Sequence, residues 1–351
     1  RDVFQAVGLE DIVRCGPTDG LDCVGSRADL TSHWYPDEFW FWWRASRVIP
    51  GTITEFPVFS FLLGDLHPHV MAIPGVLLAL AVSAALWRGK GPLDWRSHLG
   101  DPISLVVIAF VFGSLAFVNA WDVITFCSVL GMAVVVRNRG SLPWPGAITA
   151  TIMYFLPLAA IAAVAYAPWY FDFRSQVSGI YAYVGEGTSP EHVLLQFGLP
   201  LLSTLPILGW VLVRRHRGAL ASALSGTFWL PLIPFLSWII LSVARGDFVA
   251  GIEGRGVSGW VTLIAYALAI WICSGAFFTL ARKRHPAAPI AGLAALAVLL
   301  LYGAELLLIR DVFFGSSPRL NTVFKLTYQA ISPPSMTSSM PVTQSASSEA
   351  R

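Results

Sequence analysis

The feature that most constrains this chain is a series of apolar runs, each close to the thickness of a bilayer. A helix needs about 20 mostly apolar residues to cross the hydrocarbon core. Such runs fall at 68–87, 103–118, 120–136, 146–168, 193–213, 226–243, 258–281 and 289–309. The second and third are short and nearly abut at Asn119 and Ala120, so they read as two tight spans or as an irregular pair. Residues 323–331 look like the start of a further helix. Composition agrees: hydrophobic residues make up 55% of the chain, charged residues 13%, and the mean hydropathy is +0.64. A soluble domain carries about 25% charged residues, so this chain lacks the polar surface to face water on all sides. The expected fold class is all-α, a polytopic transmembrane bundle of about eight spans. A net charge of +2 gives no argument for a nucleic-acid partner.

Charge orients the spans. The connections at 88–102, 137–145, 214–225 and 282–288 hold Arg88, Lys90, Arg96, Arg137, Arg139, Arg214, Arg215, Arg217, Arg282, Lys283 and Arg284 against only Asp94 and Asp101. The alternate connections hold Asp122, Asp172, Glu186, Glu191, Asp247, Glu253 and Asp311 with few bases. That alternation is what full crossings require, and the positive-inside rule places the basic loops in the cytoplasm. Residues 1–57 then form an extracytoplasmic loop, 58–331 the bundle, and the Ser/Pro/Thr-rich stretch 332–351 a disordered tail. The run Phe39 to Trp43, with Trp34 and Tyr35 before it, is too short to span. It either lies in the interface or packs on the bundle top. Cys127 and Cys273 sit in apolar runs as packing residues, whereas Cys15 and Cys23 flank a polar stretch where a disulfide is possible. The chain opens at Arg1 without a signal-peptide pattern and reads as a fragment lacking upstream helices.

The polar groups of interest gather on the acidic side. Glu55, Asp65, His67 and His69 sit at the mouth of the first span, and ionisable groups at membrane depth usually mark function. Asp65, His67 and His69 alternate, so an extended segment would put them on one face, and Pro68 disfavours helix at His67. That face suits a divalent metal, or a phosphate held by protonated imidazoles; the structural alternative is an Asp65 cap on a helix starting at Pro68. Asp122 sits at a hairpin on the same side, where a lone Asp is more often a turn or cap residue. The stretch 245–259 is glycine-rich, with Arg255 placed to clamp a phosphate or simply part of a mobile loop. Arg319, Asn321 and Lys325 would follow one helical face, fit for a phosphate or carboxylate ligand or for snorkelling to the interface.

Three blocks carry a resemblance: TITEFPVFSFLLGDLHPHVMAIP at 52–74, FVNAWDVITF at 117–126 and DVFFGSSPRLNTVFKLTYQA at 311–330. They resemble the bacterial and archaeal YYY membrane-protein family, a domain of unknown function grouped with GT-C type glycosyltransferases. That resemblance implies a GT-C-like fold and sugar transfer from a polyprenyl-phosphate donor at the extracytoplasmic face. In protein O-mannosyltransferases an Asp-Glu pair precedes an Asp-x-His-Pro-Pro block; here Asp37-Glu38 precede Asp65-Leu66-His67-Pro68, with His69 replacing the second Pro. The parallel makes Asp37 or Glu38 the candidate base, with Asp65 next. Glu55, His67, His69, Asp122, Arg255, Arg319, Asn321 and Lys325 would bind substrate or phosphate, a divalent cation on Asp65, His67 and His69 would assist, and membrane lipid would be a partner. The alternative is a transporter or channel for an ion or polar solute. Charges concentrated in loops and at helix ends, with Glu305 the main internal exception, favour surface chemistry over a pore.

Overall fold

The computed structural model describes residues 45–64, 66–175, 177–198, 209, 223–283, 285, 287–315 and 317–337, with backbone alone for 332–337. The aromatic run 39–43, Cys15, Cys23, Asp37, Glu38, Asp65 and the segment 338–351 lie outside the described residues.

Several helices carry a proline at their first or second position, which lacks the N–H that a helix start leaves unpaired. Short α1 (Pro57–Leu63) and α2 (Pro68–Met71) lead into α3 (Ile73–Arg88). Short α4 (Ser97–Gly100) precedes α5 (Pro102–Val118), whose cap Asp101 accepts hydrogen bonds from the Ser104 backbone N–H at 3.0 Å and from the Ser104 hydroxyl at 2.6 Å. Then come α6 (Ala120–Arg139), α7 (Trp144–Ala165), short α8 (Ala167–Asp172) and strand β1 (Ile180–Ala182). The second half holds α9 (Leu232–Arg245), short α10 (Phe248–Gly254), α11 (Gly256–Arg282), α12 (Ala288–Leu306), strand β2 (Leu307–Ile309) and α13 (Leu320–Thr337).

Among the described residues, five helical stretches are long and apolar enough to cross a membrane: Ala120–Arg139, Trp144–Ala165, Ala223–Arg245, Gly256–Arg282 and Ala288–Leu306. Two shorter apolar helices, Ile73–Arg88 and Pro102–Val118, match the expected runs at 68–87 and 103–118. Most of the run 193–213 lies outside the described residues. The protein is therefore an all-α polytopic bundle. Backbone polar groups in hydrocarbon must be paired internally, and continuous helices do this within each segment.

Among the described residues, the two largest apolar cores hold the bundle. One joins α3, α5, α6 and α7 around Leu115, Phe126, Leu130 and Tyr154; the other joins α9, α11 and α12 around Trp238, Ile270 and Leu306. A seam through Val136, Cys273, Ala276, Leu280 and Ala291 brings α6 against α11 and α12, and α13 packs on α12. Cys127 and Cys273 are free thiols, as their apolar surroundings suggest.

The structure adds detail to the expected elements. The run 289–309 is helical only to Leu306, because 307–309 pair antiparallel with 180–182. Residues 248–254 and 256–259 are helical rather than a loop. The residues of 45–57 that approach the first span are packed: Ser46, Ile49, Thr52, Thr54 and Glu55 are buried, and Gln196 donates to the Thr54 carbonyl at 2.9 Å. Finally, α13 runs past the expected boundary at Ile331 to Thr337.

Helix order sorts the charges by end. Arg88, Arg137, Arg139 and Arg282 close helices at one end of the bundle. There the Arg137 guanidinium donates to the carbonyls of Gly91 at 2.8 Å and Lys90 at 2.7 Å, tying the 89–93 turn to the end of α6. Glu55, His69, Asp122, Arg255, Glu305, Arg319 and Lys325 lie at or near the opposite ends of these helices.

Candidate functional site

Two polar clusters occupy that opposite end. The first forms where the chain turns back twice before entering α3. Gly64 takes a left-handed conformation, φ 65°, to end α1, a geometry that costs glycine nothing. His67 is extended, as the residue before a proline prefers, and Pro68 then opens α2. His69 is therefore already helical, and the expected strand-like alternation from Asp65 stops at His67. The two imidazoles still face each other, ring centroids 5.3 Å apart.

His69 is 4% exposed, with the Phe324 ring at 4.7 Å and the Tyr328 ring at 4.3 Å, both edge-on. Its Nε2 lies 3.9 Å from the Glu55 carboxylate, and neither ring nitrogen has a hydrogen-bond partner. Glu55 also accepts a long hydrogen bond from Ser60 at 3.5 Å. Burial, reinforced by Lys325 and His67, pushes the His69 imidazole down to about 3. Glu55 pulls the other way, but a carboxylate beyond hydrogen-bond reach does not offset desolvation together with two neighbouring bases. Burial thus disfavours the protonated form of His69.

From α6, Asp122 projects into the same region. It is buried in the first turn, not placed in a hairpin loop, and accepts a hydrogen bond from the Gln329 amide at 2.8 Å. The Gln329 carbonyl in turn accepts from the Thr125 hydroxyl at 2.7 Å. The Lys325 ammonium, 4.9 Å from the Phe324 ring centroid, lies within electrostatic range of both Asp122 and Glu55. Four segments, around Glu55, α2, α6 and α13, thus place two carboxylates, two imidazoles and one ammonium together. Among the described residues no group of three His, Cys, Asp or Glu side chains is placed to hold a metal ion. Of the candidate set Asp65, His67 and His69, only the two histidines are described.

The second cluster centres on Glu305, at the last turn of α12. Its carboxylate accepts from Arg319, from the Thr188 hydroxyl and from the Thr188 N–H at 3.0 Å, and it lies 3.8 Å from Arg255. Arg255 also donates to the Glu305 carbonyl at 3.0 Å, and Arg319 to the Glu186 carbonyl at 3.2 Å. All three charged side chains are buried. Arg319, Asn321 and Lys325 do not share one direction: Arg319 turns to Glu305, Asn321 donates to Asp311 at 2.7 Å, and Lys325 faces the first cluster.

The glycines around Arg255 have a packing role. A Cβ on Gly254 would stand 2.5 Å from the Val184 carbonyl oxygen, and one on Gly187 would stand 2.6 Å from the Gly259 Cα. They let the 184–188 segment lie directly on α10 and the start of α11. The glycine-rich stretch expected to cradle an anion is occupied by the chain's own backbone.

Sequence reasoning did not single out Gln329, Thr125, Thr188 or Ser60. Gln329 had a usable signal, an amide in an otherwise apolar run, which in a membrane bundle needs a polar partner. Thr188 had none, since loop threonines are common.

A family model described as "Uncharacterized membrane protein (DUF2298)" matches residues 5–331. The chain belongs to this family. The match embraces both clusters and every described span, so the polar end is built from the family's own region. No curated protein and no solved structure matches the chain.

Proposed function

We propose that this family member is a membrane-embedded transferase of the GT-C kind, moving a sugar from a polyprenyl-phosphate donor at the end of the bundle opposite its basic turns. The observation that carries the reading is the convergence of Glu55, His67, His69, Asp122 and Lys325 from four separate segments. Glycosyl transfer to a hydroxyl needs a carboxylate or imidazole to take the proton and a cation to steady the departing phosphate. Both kinds of group stand at this end. Asp37, Glu38 and Asp65 remain candidates for the base by resemblance. Under the positive-inside rule the basic turns are cytoplasmic and the polar end extracytoplasmic.

The transporter reading has one observation in its favour, the buried charges Arg255, Glu305 and Arg319. Glu305, however, is tied by Arg319 and by Thr188, so this cluster reads as a clasp between segments rather than a stepping stone for an ion.

The test is transfer of radiolabel from polyprenyl-phosphate sugars by membranes carrying the full-length protein. Glu55→Gln, Asp122→Asn and Asp65→Asn should be compared with wild type. Loss of the base is expected to slow transfer by about 10²–10⁴-fold while the protein still folds. Wild-type rates in all carboxylate variants, Asp37→Asn and Glu38→Gln included, would overturn the site.

A further inference from the structure

The charges of the two clusters do not balance in the same way. In the first, Lys325 faces two carboxylates, Glu55 and Asp122. In the second, Arg255 and Arg319 share a single carboxylate among the described residues, Glu305, which leaves one positive charge unmatched there among side chains that are 0%, 6% and 4% exposed. The hydrogen-bond inventory is unmatched as well: Arg255 Nε and Nη1 and Arg319 Nε have no acceptor. Buried guanidinium N–H groups without acceptors are costly, and an unpaired buried charge more so. Aromatic faces offset part of this, with Arg255 5.6 Å from the Trp238 centroid and Arg319 4.4 Å from that of Tyr183. Tyr183 also hydrogen-bonds Arg319, but among the described residues no acceptor reaches the three nitrogens named above. Arg255 directly precedes α11 and Arg319 directly precedes α13, so two long helices begin within reach of one carboxylate. Helix starts favour negative charge, and here they add to the cationic excess.

We propose that Arg255 and Arg319 form a binding site for a phosphate-type oxyanion, with Glu305 neutralising only half of it. Two planar guanidinium forks with free N–H groups match the geometry of a tetrahedral oxyanion better than that of a halide. The oxyanion adds the acceptors that the three nitrogens lack, and it binds against the remaining positive charge. The geometry alone supports the site; assigning its ligand to the phosphate of a lipid-linked sugar rests on the transfer reading above.

The test is a thermal-shift titration of the full-length protein in detergent with inorganic phosphate, at constant ionic strength set with chloride. A second arm uses phosphatidylcholine vesicles with and without polyprenyl phosphate. Wild type is expected to show a saturable rise in Tm with phosphate, with a further rise in polyprenyl-phosphate vesicles if the source is a lipid. Glu305→Gln removes the internal competitor, so its melting point falls in buffer and phosphate restores it, with apparent Kd lowered by about tenfold. Arg319→Lys keeps the charge but loses the fork and should bind phosphate more weakly. Arg139→Gln, at the basic end of the bundle, should leave the phosphate shift intact. No phosphate-specific shift in wild type overturns the proposal, even if Glu305→Gln fails to fold. A shift lost in Lys325→Gln but kept in Arg319→Lys overturns it too, by moving the anion to the other cluster. A positive shift without sugar transfer would leave the site standing and remove the transferase reading; transfer without the shift would do the reverse.

Discussion

At the scale of single residues, two buried groups govern what the polar end tolerates. Glu305 holds together Arg255, Arg319 and Thr188, so its removal leaves two buried guanidiniums without a counter-charge. Breaking a buried pair in this way costs about 3–5 kcal/mol, and Glu305→Gln should lower the unfolding midpoint accordingly in a detergent or thermal titration. His69 sets a pH dependence. Its proton affinity in the folded protein is pushed down to about 3, from an ordinary value of 6.5. Below 6.5 the unfolded chain takes up a proton that the folded chain refuses, so stability is full at neutral pH and declines from about pH 6.5 toward pH 3. His69→Phe should flatten that acid-side decline in a plot of melting temperature against pH; an unchanged slope would show that other groups cause it. The sequence made both residues visible, His69 through its motif and Glu305 as an acid inside an apolar run. Their partners were not visible, because Tyr328 and Thr188 are unremarkable residues brought close only by the fold.

At the scale of elements, the informative contacts are those where backbone meets backbone. The 184–188 segment rests on α10 and α11 without room for a side chain at Gly187 or Gly254. Gly187→Ala and Gly254→Ala should each destabilise by about 1–3 kcal/mol, since the opposing atoms are main chain and cannot swing aside. Gly131→Ala and Gly303→Ala, in helices α6 and α12 with nothing within 4 Å of the added carbon, should be neutral or stabilising by about 0.5–1 kcal/mol. Equal effects in both pairs would contradict the packing account. Apolar period and length made the spans legible, and prolines at 57, 68, 102 and 289 marked helix starts. The helical character of 248–259 was not legible. Glycines there signalled a loop, whereas tertiary packing against 184–188 uses the same glycines in helices. Strand β2 was hidden for a similar reason: Leu307, Leu308 and Ile309 continue an apolar run and differ from helix only in having a partner at 180–182.

For the whole molecule, the alternation of basic and acidic connections is the property from which the rest follows. It implies that single cysteines introduced at Gly140 and at Gly179 react with an impermeant reagent from opposite sides of a sealed vesicle, Gly140 from the cytoplasmic side. Labelling of both from one side would contradict the crossing pattern. The same asymmetry gathers Glu55, His69, Asp122 and Glu305 at one end, while Asp94, His98 and Asp101 stay at the other; under the proposed transfer reading, that gathering favours chemistry at the membrane surface over passage through it. The most direct measurement places wild-type protein in sealed proteoliposomes and follows two signals together: movement of radiolabel from polyprenyl-phosphate sugars to an acceptor supplied by membrane extract, and flux of ions or labelled polar solutes across the bilayer. The account predicts label transfer when the acceptor is on the side carrying the polar end, and no flux above protein-free vesicles. Flux with every donor left intact would contradict it.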